Sequence, residues 1–340
     1  MSSRQPSKQP VPLPLPSVPL FQLLKRTYGY LKPYWKHTGG AYLALLAVLA
    51  VNTLIPQIIR WIIDSGIKDG QPRVLTLAVL LLLGLTVVKG VLNYFQGLFT
   101  ETASQNVAFD LRNEIQKKLT HLSFSFHDKA ETGELLSRAV QDVERVRFLT
   151  GRATLRILEG GLMLLITAVI LLTMDFKLGL LTLVTMPLLV YQALRFGARF
   201  RPLSLQVQKQ LASLTTAVEQ NLRGSRVVKA YAQEEAEIER FAGTNQEWFR
   251  LSNVSARMQA INSPLLFLIA NLGMVVIIVY GGYQVILGSL SIGMVVAFIS
   301  YIGQLVDPIR RLGMIIPAVA IAGSASERIY DILDQSSEVT

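Results

Sequence analysis

The chain has 340 residues, 51% of them hydrophobic and only 16% charged, where a soluble globular protein carries roughly 25% charged residues. Its mean hydropathy is +0.40, and several uncharged runs approach or exceed the roughly 20 residues that cross a bilayer, which excludes an ordinary soluble domain. The net charge of +10 belongs to the loops of a membrane protein rather than to a nucleic-acid surface, and with no cysteine the chain can form neither a disulfide nor a Cys-based metal or redox site.

Residues 1–19 carry prolines at positions 10, 12, 14, 16 and 19. They lack the apolar core and small-residue cleavage site of a signal peptide and are expected to form a disordered, extended leader. A ligand for a proline-reading module is the other reading of this segment. Residues 20–36 combine Leu24, Tyr28 and Leu31 on one helical face with Lys25, Arg26, Lys32 and Lys36. Tyr30, Tyr34 and Trp35 suit a headgroup boundary, so an interfacial amphipathic helix is predicted, lying on the inner leaflet ahead of the first span.

Thr38–Ile59 is uncharged and forms the first predicted span, and Val74–Thr100 holds one charge, Lys89, and forms the second. Span three covers about Leu155–Met174, with Arg156 and Glu159 near its start, and the short Asp175–Lys177 turn leads to span four at about Leu178–Phe200. No residue from Met258 to Val306 is charged; "LGSLSIG" (Leu287–Gly293) divides that run into spans five and six. The uncharged Leu312–Ser326 is read as a buried continuation of helix six rather than a seventh span. The predicted fold class is an all-α membrane protein: six transmembrane helices in a body over residues 37–330, with long cytoplasmic helical extensions and an N-terminal elbow helix.

Six spans place both termini on one side. The segments 60–73, 175–177 and 287–293 hold only Arg60, Lys68, Arg73 and Lys177, whereas 101–154 holds eight Lys and Arg and 195–257 holds ten. The positive-inside rule puts the two long loops and both termini in the cytoplasm. In the first loop Leu111, Ile115, Leu119 and Leu122 recur at helical spacing, as do Leu136, Val140, Val143 and Val146, with Asp128 and Glu131 at capping-box spacing between them. The second loop repeats the plan with Leu211, Leu214, Val218 and Leu222 descending, a break expected at Gly224, and Ile238, Phe241 and Trp248 on the return. Counting residues at 1.5 Å per residue, both tips should lie roughly 40 Å from the bilayer face, each offering an aromatic side chain, Phe126 and Tyr231. Two tips at one depth suggest a docking platform; long hairpins that merely widen the bundle are the plainer alternative.

These residues resemble the transmembrane half of ATP-binding-cassette (ABC) exporters of the six-helix, domain-swapped type, over essentially everything after residue 20. The first loop matches a family pattern at Phe126, Asp128, Gly133, Glu134, Leu135, Leu136, Ser137, Arg138, Asp142 and Val143. The second matches at Glu219, the Gly-Ser-Arg of 224–226, Val227, Val228, Lys229, Ala230, Tyr231 and Glu234. Pro308, "SASERIYDILD" (Ser324–Asp334) and Glu338-Val339 resemble the run into a nucleotide-binding domain. The resemblance implies that Phe126, His127, Asp128, Glu131, Thr132 and Gly133 form one coupling helix, and Glu219, Arg223, Gly224, Arg226, Val227, Val228 and Lys229 the second. It implies grooves for them on ATP-binding domains, whose closure rocks the membrane helices between inward- and outward-facing states, and a homodimer or heterodimer of two such halves. Residues 331–340 read as the start of a linker. No G-x-x-x-x-G-K-[ST] loop occurs in the chain, so ATP and magnesium are expected on a nucleotide-binding domain that a longer protein or a separate subunit supplies, the first being favoured. A bacterial inner membrane is the expected setting.

His37, His121 and His127 form no metal pattern. Lys89 is an intramembrane charge and so a functional candidate, against a carbonyl or phosphate partner or snorkelling along a long span. Asn52, Asn93, Gln96, Asn271, Tyr301 and Gln304 could line a substrate pathway with it or hydrogen-bond between helices. The expected activity is export of amphipathic or hydrophobic substrates such as lipids, drugs or small peptides. The alternatives are an ATP-independent carrier or channel, and a membrane scaffold that uses the hairpins only for docking.

Overall fold

The computed structural model describes residues 20–123, 126 and 132–335. A short amphipathic helix, α1 (Leu20–Gly29), precedes six long helical segments. These are α2 (Lys32–Lys68), α3 (Pro72–His121), α4 (Leu135–Met174), α5 (Phe176–Ala230), α6 (Glu234–Ile286) and α7 (Ile292–Leu333). Each of the six is long and apolar enough to cross a membrane, and no strand occurs among the described residues. The protein is therefore all-α and membrane-embedded, as its hydropathy predicted. Leu312–Ser326 continues α7 and adds no seventh span.

The turns fall where the sequence breaks its apolar runs. Asp175 caps α5, its carboxylate accepting the Leu178 N–H at 2.7 Å, which satisfies one of the free donors at the helix start. Between α6 and α7, Gly288 takes φ +75, a left-handed conformation that a residue with Cβ adopts only under strain. Among the described residues, four stretches are wound more widely, as π-helix: Ile62–Lys68, Arg138–Asp142, Leu149–Ala153 and Ile277–Gly281.

The chain divides into two compact units. The first comprises the described parts of Met1–Tyr42, Phe95–Thr154 and Ala318–Thr340. Its core joins Leu23 and Leu31, Val107, Leu111 and Ile115 of α3, Val143 and Val146 of α4, and Ile329 and Tyr330 of α7. The predicted stripe on α4 is only half used, for Leu136 and Val140 are exposed while Val143 and Val146 are buried. The π-turn at Arg138–Asp142 inserts a residue between the two pairs and rotates the earlier pair off the core face. On α1 the buried stripe is Leu23 and Thr27, continuing to Leu31, one residue ahead of the predicted Leu24 and Tyr28. Thr27 is buried without penalty because its hydroxyl donates to the Leu23 carbonyl at 2.8 Å and lies 3.0 Å from the Tyr330 hydroxyl.

The second unit comprises Leu43–Tyr94 and Leu155–Pro317. Its helices approach through small residues, as membrane helices do where no hydrophobic effect drives them together. A Cβ on Gly197 would collide with the Gly313 carbonyl oxygen, and one on Gly313 with that of Ala193, so α5 and α7 cross backbone to backbone. Gly179 turns α5 tightly against the Leu171 carbonyl, 2.6 Å from an added Cβ. Asp64 binds the start of α7, accepting from the Ser291 hydroxyl at 2.6 Å and the Gly293 N–H at 2.9 Å. A carboxylate there answers the positive end of the helix dipole.

Candidate functional site

Two features gather the residues singled out by the sequence: a polar cavity among the apolar helices of the second unit, and the tips of the two hairpins.

The cavity has a volume of about 190 Å³ and is lined by Asn52 of α2, Lys89 of α3, Glu159 and Met163 of α4, and Gln304 of α7, with Leu49 on its wall. Three of the seven residues read as a possible pathway, Asn52, Lys89 and Gln304, thus converge from three helices far apart in sequence. The other four do not line it. Asn93 and Asn271 are exposed, and Gln96 is half-buried with its carbonyl accepting the Thr100 hydroxyl. Tyr301 is fully buried; its hydroxyl donates to the Thr53 carbonyl at 2.7 Å and accepts from Gln57 Nε2 at 3.0 Å. It serves helix packing, the interhelical role that polar residues in spans often take.

Glu159 was noted in the sequence only as a charge near the start of span three, yet it lines the cavity. An acidic residue inside a span was the available signal. Its carboxylate is held by Arg156 Nη1 at 2.8 Å.

At the first tip, Phe126 is half-buried and donates its N–H to the Ser123 carbonyl at 3.1 Å. His127, Asp128 and Glu131 lie outside the described residues. Thr132 opens a helical turn, Thr132–Ser137, that leads into α4. Gly133 is exposed with nothing within 4 Å of where a Cβ would stand. Further along α4, Asp142 is buried and takes two hydrogen bonds from Arg328 of α7, at 2.8 and 2.6 Å, and one from Arg145 at 2.7 Å. The first hairpin is thus tied by a charge pair to the helix that ends the described chain. That helix is also gripped by α1: Arg26 donates to both Asp334 carboxylate oxygens, at 2.6 and 2.7 Å, with its guanidinium 4.0 Å over the Tyr330 ring. The hydrogen bond from Arg26 holds the Asp334 carboxyl below its ordinary pKa.

At the second tip the expected break at Gly224 does not occur, because α5 runs on to Ala230. A glycine costs only about 1 kcal/mol in a helix, and Gly224 sits in open space where nothing forces a turn. The chain reverses at Tyr231–Gln233 instead, with Ala232 at φ +48. Glu219 and Arg223 pair along the exposed helix surface at 2.7 Å. Arg226 and Val227 are exposed, whereas Val228 and Lys229 join Asn221, Ser225, Ile238 and Phe241 around a groove of about 390 Å³ between the ends of α5 and α6. Leu211, Val218 and Leu222, expected on a buried face, are exposed within this chain.

Comparison with known proteins shows the family. Residues 40–309 match the family model for the ABC transporter transmembrane region. Among similar proteins, an uncharacterised ABC transporter ATP-binding protein of Bacillus subtilis is 30% identical over 94% of this chain and 54% of its own length. An ATP-dependent lipid A-core flippase of Syntrophus aciditrophicus is 27% identical over 92% of this chain and 52% of its own length. A putative multidrug export ATP-binding/permease protein of B. subtilis is 25% identical over 92% and 55%. The chain spans about half the length of these curated relatives. Six apolar helices, two long hairpins and a family match over 270 residues, from 40 to 309, establish that the chain belongs to the ABC transporter transmembrane-region family.

Proposed function

We propose that this chain is the membrane part of an ATP-driven exporter, pairing with a second six-helix half to form a pathway for amphipathic or hydrophobic substrates. In this reading ATP and magnesium bind a nucleotide-binding domain. Phe126–Gly133 at one tip, and Glu219, Arg223, Gly224, Arg226, Val227, Val228 and Lys229 at the other, dock into it. The observation that carries the reading is the second tip. It presents the exposed Val227 and Tyr231 beside the groove around Val228, Ile238 and Phe241. A hairpin end whose apolar groups are left uncovered is suited to a protein partner, and the relatives are ATP-binding proteins about twice as long as this chain. The exposed Leu77, Leu80, Leu83 and Val87 on α3 suit lipid or the second half. The positive-inside count supports cytoplasmic tips and termini, and the bacterial relatives support a bacterial inner membrane as the setting.

The test is ATP-dependent transport in sealed vesicles by the protein joined to a nucleotide-binding domain, with Val228→Asp as the tip variant. Export should require hydrolysable ATP, and V228D should leave ATP hydrolysis running while transport falls. Transport that proceeds without ATP or without that domain would sink the proposal.

A further inference from the structure

Lys89 is the single charge between Val74 and Thr100. Among the described residues its ammonium makes no ion pair and no side-chain hydrogen bond, although it lines the cavity between α2, α3, α4 and α7. A charge held in apolar surroundings without a partner is costly, so a site of this kind is completed by what it binds. The rest of the wall says what that is. Glu159 is the other charged group lining the cavity, and its carboxylate is paired with Arg156 at 2.8 Å. Of the two charged groups on the wall, Lys89 is thus the one without an ion-pair partner among the described residues. Two amides stand beside it, Asn52 and Gln304, and Gln304 Oε1 is buried with no hydrogen-bond partner. Rotating that amide about its last bond presents its NH₂ group at the same place, so the orphaned position can donate to an anion as well as accept from a hydroxyl. Leu49 and Met163 supply apolar wall. At about 190 Å³ the space holds a headgroup and not a whole drug-sized molecule.

We propose that this cavity binds the singly charged anionic headgroup of an alkyl amphiphile, a carboxylate or a phosphate monoanion, with Lys89 as its charge partner and the Asn52 and Gln304 amides as hydrogen-bond partners. The inference rests on the reading of the chain as an exporter's membrane part, and it names the chemistry its pathway selects.

The test measures equilibrium binding to the purified protein in phosphatidylcholine nanodiscs without nucleotide, so a failure of ATP-driven export leaves the result intact and the two readings separable. The probes are dodecanoate, the monoanionic diester dodecyl methyl phosphate, neutral dodecanol and cationic dodecyltrimethylammonium, with acetate and inorganic phosphate as tailless anions. Lys89→Gln should weaken both anionic amphiphiles by about tenfold or more, the worth of one charge-assisted hydrogen bond, and leave dodecanol unchanged. Lys89→Arg should keep most of the affinity, and Gln304→Leu should weaken the anions independently if K89Q folds poorly. Equal binding of dodecanoate to wild type and K89Q, or a preference for the cationic probe, overturns the proposal. Acetate or phosphate binding as tightly as the tailed anions overturns its amphiphile part, leaving a site for free anions.

Discussion

Arg328 near the end of α7 closes on Asp142 of α4 through two parallel hydrogen bonds, Nε to Oδ2 at 2.8 Å and Nη2 to Oδ1 at 2.6 Å. The Asp142 side chain is 3% exposed and that of Arg328 37%, so the carboxylate depends on its partners for solvation. Breaking a hydrogen bond to a buried charge costs about 1.5–3 kcal/mol. Arg328→Ala should therefore lower the thermal unfolding temperature in detergent clearly, with Arg145 keeping part of the interaction. Arg223→Ala, which removes a solvent-exposed pair with Glu219, should change it little, since such pairs are worth about 0–1 kcal/mol. Equal effects from the two variants would contradict the assigned burial.

The Arg26–Asp334 clamp should respond to acid. Hydrogen bonding to Arg26 lowers the Asp334 pKa below its unfolded value, and Arg26 stays protonated throughout. The clamp's contribution is thus fully present above the ordinary aspartate pKa of about 4 and is lost as pH falls through the lower folded value. A spin label at Gln22, an exposed position of α1, should keep one mobility between pH 8 and 5 and become more mobile only below about pH 4. Asp334→Asn should show the mobile spectrum at every pH. Because both partners are partly exposed, the change in global stability should stay small.

The crossing of α5 and α7 predicts an asymmetry among glycines. Gly197→Ala would drive a methyl group into the Gly313 backbone at its carbonyl oxygen. The helices must then separate, and overpacking costs typically 1–3 kcal/mol and more where backbone cannot yield. Expression in the membrane and monodispersity after extraction should both fall. Gly161→Ala, whose added carbon meets nothing within 4 Å, should behave as wild type, and similar losses in both would refute the close crossing.

Much of this architecture was legible because hydropathy and charge are properties of the chain itself. The six spans, the Asp175 turn and the division near Gly288 all follow from where apolar runs stop. What was not legible depends on helix rotation. Thr27 reads as polar, but its hydroxyl is satisfied by Leu23 and Tyr330, so it joins the buried face and moves the α1 stripe by one position. Leu136 and Val140 keep helical spacing with Val143 in the sequence, yet the π-turn between them turns them outward. The cavity shows the same limit, for spacing along each helix could not say that Asn52, Lys89 and Gln304 would converge while Asn93, Asn271 and Tyr301 would not.

Gly224 offers the sharpest test of the second tip. If it marked a break, as its residue type suggested, replacing it with alanine would disrupt the turn and destabilise the hairpin. The helix instead continues through it to Ala230, with free space around the α-carbon. Gly224→Ala should then stabilise the tip by up to about 1 kcal/mol, since glycine forfeits that much helix propensity. Slower amide exchange over residues 219–230 would report it. The strained point is Ala232, at φ +48, a conformation that glycine adopts freely. Ala232→Gly should leave exchange in that helix unchanged or slow it, whereas Ala232→Val should speed it. Faster exchange in G224A would place the break back at Gly224 and remove the continuous helix as the support of the groove at Val228.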